Sequence, residues 1–108
     1  MEKIIKDLHD IIIERQAKGE EGSYTKYLLD KGLDKILKKV GEECTEVIIA
    51  CKDEDKNEQI NELCDLVYHL LVLIVDRNIE LSEIEEELKK RKNKINNFKG
   101  ERRKIEEI

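Results

Sequence analysis

Proline and tryptophan are absent from this 108-residue chain, and three Tyr and one Phe are its only aromatic residues. Without proline, no helix is interrupted in the way that residue imposes. Cysteine is scarce and odd in number: Cys44, Cys51 and Cys64 show no paired C-x-x-C spacing. That excludes a disulfide framework and points to a reduced, cytoplasmic protein whose cysteines act as small apolar fillers. Long apolar runs are missing too. The longest, Leu70 to Val75, is far short of a membrane span. The N-terminus carries Glu2, Lys3, Lys6 and Asp7 among its apolar residues and does not read as a signal peptide. Basic excess is also lacking, with 26 Asp and Glu against 21 Lys and Arg and a net charge of −5. General nucleic-acid binding needs a basic surface and is disfavoured. A phosphorylated substrate is not, because a divalent cation reverses the local sign.

What the chain has in abundance is Glu, Lys, Ile and Leu, with 44% of residues charged, a profile that favours helices over strands. Its length allows one domain with a thin core, which makes oligomer formation a natural expectation. A first helix is expected from Glu2 to Lys18, with Ile4, Ile5, Leu8, Ile11 and Ile12 on its period and Gly19 as a left-handed C-cap. Tyr24 to Asp30 reads as a short helix capped by Ser23 and closed by Gly32. A long helix follows from Leu33 to about Cys51, its stripe made of Leu33, Ile36, Leu37, Val40, Cys44, Val47, Ile48 and Cys51. After a charged connector, the next helix runs to about Val75. Asp76-Arg77-Asn78 then turns the chain, and Ser82 with Glu85 forms the capping box of the last helix. Residues 1–95 form the domain, and 96–108 a charged C-terminal extension.

The chemistry sits on the two long helices. At ~100° per residue, Glu43 lies ~80° and Glu46 ~140° from the centre of the apolar stripe, with Lys39 between them and Glu42 facing solvent. Alone, that is an ordinary solvated face. The following helix differs: from Leu63 to Val75 every residue is apolar except Asp65, Tyr68 and His69. A rod apolar nearly all round is expected to be buried nearly all round. Yet Glu58, Glu62, Asp65 and His69 share an arc of roughly 60°. Carboxylates so placed must meet cations, either Lys or Arg from another helix or a metal ion. Acidic pairs at i, i+3 on two facing helices give the all-oxygen shell that Mg²⁺ or Mn²⁺ prefers. No Glu-x-x-His occurs, which disfavours a di-iron centre.

Glu43-Cys44-Thr45-Glu46 followed by Glu62-Leu63-Cys64-Asp65 resembles the E-x-x-E…E-x-x-D signature of the MazG-like all-α nucleoside triphosphate pyrophosphohydrolases. Ser23-Tyr24-Thr25, Lys31-Gly32-Leu33, Lys38-Lys39-Val40-Gly41-Glu42-Glu43 and Asp65-Leu66-Val67-Tyr68-His69-Leu70-Leu71 resemble one family within it, the phosphoribosyl-ATP pyrophosphohydrolases of histidine biosynthesis. The resemblance runs from the first helix to about Arg91. It implies an all-α fold of four main helices plus a short one, a bundle completed by homodimerisation. It also implies magnesium-dependent hydrolysis of phosphoribosyl-ATP to phosphoribosyl-AMP and pyrophosphate.

On this reading Glu43, Glu46, Glu62 and Asp65 coordinate the metal, and Glu43 or Glu46 activates the attacking water. Lys35 and Lys39 are candidate phosphate contacts; Tyr24, Thr25, His69 and Arg91 are candidates for ribosyl and phosphate groups. The partners expected are a small nucleotide substrate and a second copy of the chain, with neither nucleic acid nor membrane. Two rivals remain: a sister pyrophosphohydrolase acting on ordinary or damaged nucleotides, and a non-enzymatic helical module with a structural salt-bridge stripe.

Overall fold

The computed structural model describes residues 1–19 and 23–95. The extension from residue 96 onward lies outside the described residues. Five helices account for the fold: α1 Glu2–Lys18, α2 Tyr24–Lys31, α3 Leu33–Lys52, α4 Lys56–Asp76 and α5 Leu81–Lys92. Among the described residues there is no strand. Among the described residues no helix is long and apolar enough to cross a membrane.

Local chemistry sets most of the boundaries. Ser23 Oγ accepts from the Lys26 backbone N–H and opens α2. Gly32, at φ 93°, separates α2 from α3, a backbone region that L side chains adopt only under strain. Asp55 caps α4 by accepting from the Glu58 N–H. At its other end Asn78 takes φ 58°, and the Ile79 N–H reaches back to the Ile74 carbonyl. Asn tolerates that left-handed position better than most residues.

Two caps differ from expectation. Gly19 is extended at φ −63°, not left-handed. Its smallness serves close packing, because a Cβ there would run into the Lys26 side chain and the Arg15 carbonyl. The last helix begins two residues earlier than predicted, with Glu80 as N-cap, and the Glu80 N–H donates to Glu83 Oε2 at 2.8 Å. Two carboxylate-bearing residues three apart satisfy the same geometry as Ser82 and Glu85, and the earlier pair wins.

The core is made of Ile12, Leu28, Ile36, Leu71, Val72 and Val75, flanked by Leu8, Leu29, Tyr68 and Leu81. α3 and α4 form the most extensive helix pair; their three-residue connector makes them antiparallel neighbours. α1 turns His9 and Ile12 inward and leaves Ile4 and Ile11 exposed, so its predicted stripe is only partly used.

The larger departures concern α3 and α4. Only Ile36 and Ala50 are fully buried on α3, while Leu37 and Ile48 are exposed. On α4, Leu63, Val67 and Leu70 are 38–44% exposed, so the rod is not buried all round within one chain. The three cysteines are likewise exposed and do not fill this chain's own core.

Candidate active site

The buried side of α3 explains how its carboxylates are aimed. Ile36, Glu43 and Ala50 follow one another at seven-residue steps and fall within ~40° on the helical wheel. The two outer members are fully buried. Glu43 is therefore carried on the side that faces α4, not on a flank, and its side chain is 12% exposed. The open edge of the apolar stripe, Leu37, Cys44, Ile48 and Cys51, points elsewhere.

Glu62 and Asp65 meet Glu43 across the helix pair. One carboxylate oxygen from each lies within 4.8 Å of the other two. The Lys39 ammonium stands 3.7 Å from Glu43 and 3.9 Å from Glu42. Desolvation raises the Glu62 carboxyl above its ordinary range. A hydrogen bond with Glu58 and repulsion from Asp65, Glu58 and Glu46 push in the same direction. Uncompensated repulsion at closely spaced oxygens is the condition that a hard divalent cation relieves, and the all-oxygen donor set fits one. Glu46 stands outside the triplet on the exposed side of α3, close enough to act on Glu62 through its field.

A second layer comes from α2 and the middle of α4. The Tyr24 hydroxyl lies 3.0 Å from His69 Nε2, and His69 Nδ1 donates to the Asp65 carbonyl at 2.7 Å. Thr25 Oγ1 and the Tyr68 hydroxyl share a hydrogen bond. Tyr27, Tyr24 and Tyr68 stack in sequence with ring centroids 6.2 Å apart at each step, and His69 meets Tyr24 and Tyr68 edge-on. Lys31 covers the far end, 5.9 Å above the Tyr27 ring. Burial raises the Tyr24 phenol; Lys39 opposes the shift and Glu43 adds to it, which ties this aromatic layer to the acidic one.

The chain belongs to the phosphoribosyl-ATP pyrophosphohydrolase family. The family model described as phosphoribosyl-ATP pyrophosphohydrolase matches residues 5–92. A phosphoribosyl-ATP pyrophosphatase of Clostridium acetobutylicum is 58% identical over 106 residues, covering 98% of this chain and 96% of that protein. One of Bacillus cytotoxicus is 50% identical over 108 residues, the full length of both. A histidine biosynthesis bifunctional protein of Thermoanaerobacter pseudethanolicus is 58% identical over 85 residues, which span 79% of this chain and 39% of that one.

Among the residues singled out from sequence, the structure brings together Glu43, Glu62 and Asp65, with Lys39 beside them and Tyr24 and His69 one layer behind. Thr25 is near through Tyr68, and Lys35 sits half-buried one turn before Lys39. Arg91 is different: its guanidinium is exposed on α5 and paired with Glu87 at 3.3 Å. Sequence reasoning passed over Tyr27 and Tyr68 as site residues and left Glu58 out of the carboxylate set. Glu58 carried a readable signal, one turn before Glu62 on the same polar stripe. Tyr68 stood out as one of three exceptions on an apolar helix, whereas Tyr27 carried no signal, because its stacking depends on how α2 docks.

Proposed function

We propose that this chain hydrolyses phosphoribosyl-ATP to phosphoribosyl-AMP and pyrophosphate, the second step of histidine biosynthesis, in the cytoplasm. The observation that carries the reading is a family match from residue 5 to 92 in a chain that keeps all four carboxylates of the E-x-x-E…E-x-x-D signature. The convergence of Glu43, Glu62 and Asp65 supports it.

Glu43, Glu62 and Asp65, with Glu46 directly or through waters, would hold Mg²⁺ or Mn²⁺. When bound, the ion polarises phosphate oxygens and neutralises charge on the departing pyrophosphate. Glu46, exposed and outside the triplet, accepts the proton of the water that attacks the α-phosphorus. The bond between that phosphorus and the bridging oxygen to the β-phosphate breaks. Lys35 and Lys39, one turn apart on α3, steady the phosphates. Two chains assemble as a homodimer over the apolar residues that α3 and α4 leave open.

Pyrophosphate release measured with phosphoribosyl-ATP beside a panel of deoxynucleoside triphosphates, with and without Mg²⁺, tests the assignment. Turnover confined to phosphoribosyl-ATP plus Mg²⁺ is expected. Preference for the deoxynucleotides would assign the chain to a sister activity, and release unaffected by chelation would remove the metal. Millimolar Mg²⁺ should also raise the melting temperature through binding to the native state. An unchanged melting curve counts against a metal site.

A further inference from the structure

The hydrogen-bond polarity around Tyr24 defines what kind of group it can receive. The Asp65 carbonyl accepts from His69 Nδ1 at 2.7 Å. A carbonyl has no proton to give, so Nδ1 carries the ring proton. In the neutral imidazole the other ring nitrogen can only accept, and His69 is 5% exposed. Nε2 is thus a bare lone pair, and the Tyr24 hydroxyl 3.0 Å away donates to it. That commits the only proton Tyr24 has. Desolvation holds the phenol above its ordinary 10.0, so the proton stays in place at neutral pH.

Tyr24 is 45% exposed and feels both Lys39 and Glu43. It therefore borders the acidic cluster with an oxygen that offers lone pairs and no hydrogen. Phosphate oxygens at neutral pH are acceptors as well, so the two would repel. Within a nucleotide, the groups that can donate to such an oxygen are the sugar hydroxyls and base N–H groups. The sugar is bonded through its 5′ oxygen to the phosphorus that the carboxylates address, which puts its hydroxyls nearest.

We propose that Tyr24 receives a sugar hydroxyl of the substrate, with His69 as the positioning residue that fixes its polarity, and that this pair selects against nucleotides lacking that hydroxyl. The proposal rests on the reading of the chain as a nucleotide pyrophosphohydrolase. It reassigns Tyr24 away from phosphate, which falls to Lys35 and Lys39.

The test is kcat/KM for the parent and Tyr24→Phe in Mg²⁺, using phosphoribosyl-ATP and its counterparts lacking the 2′ or the 3′ hydroxyl of the triphosphate-bearing sugar. Phe keeps the stack against Tyr27 and Tyr68, and circular dichroism checks the fold. The parent should discriminate against one deoxy substrate by about tenfold, the scale of one hydrogen bond. Tyr24→Phe should lose about that factor on the ribo substrate and show no further loss on that deoxy substrate. A variant that keeps the parent's discrimination, or loses equally on all three substrates, overturns the proposal. So does a parent indifferent to both deletions. Should the parent release no pyrophosphate from phosphoribosyl-ATP, the assigned activity fails. The same comparison on ATP and dATP then decides the role of Tyr24 separately.

Discussion

Glu62 shows how a single carboxyl can hold the balance between stability and chemistry. Its proton affinity is raised in the folded chain by desolvation, by Glu58 and by the surrounding acids. A carboxyl with raised affinity contributes stability below its unfolded value, and that contribution is lost as pH rises through the folded value. The contribution of Glu62 to the stability of the metal-free protein should therefore grow as pH falls from neutral toward 4.5, the ordinary value for this group. Glu62→Gln should flatten that slope in thermal unfolding across the same window. It should leave the metal-free fold intact or slightly more stable, as should Asp65→Asn, while pyrophosphate release collapses. A structural ion-pair network would behave in the opposite way, losing a few kcal/mol with either amide as a buried cation lost its partner. The acidic pairs of α3 and α4 and Lys39 were picked out by spacing and family resemblance together, and of the four signature carboxylates the structure gathers Glu43, Glu62 and Asp65. The placement of Glu43 was read as a flank because the apolar stripe of α3 serves two faces, and only packing reveals which half α4 covers.

Among the elements, α5 has its cap where sequence did not put it. Glu80 and Glu83 close the first turn, whereas Ser82 and Glu85 lie inside the helix. Glu83→Ala should cost about 1 kcal/mol of local helix stability, seen as amide exchange roughly fivefold faster in α5. Glu85→Ala should leave exchange in that turn unchanged. The order of the five helices, the Ser23 cap and the Gly32 break followed from periodicity and punctuation. Gly19 did not, because the demand for a small residue there comes from Lys26 on another helix. The Tyr24, Tyr27 and Tyr68 stack was hidden for the same reason: its members belong to elements that meet only in the tertiary structure.

For the molecule as a whole, the proposed dimer rests on the exposed apolar side chains of α3 and α4. Leu37, Ile48 and Ile49 on α3, with Ile60, Leu63, Val67 and Leu70 on α4, are 38–62% exposed, and apolar side chains grouped in this way are the kind of surface a partner copy covers. Light scattering at micromolar concentration should give twice the chain mass, and Ile48→Glu together with Leu63→Lys should return it to one. A monomeric parent would sink the dimer. The antiparallel α3–α4 pair has a further consequence, in time rather than in energy. The carboxylates that converge there come from consecutive helices joined by three residues, so little loop-closure entropy opposes their meeting. Contacts so close in sequence form quickly, as in other low-contact-order helical folds. The acidic centre should therefore form early in folding, with the more distant docking of α2 onto α4, which orients Tyr24 against His69, following it.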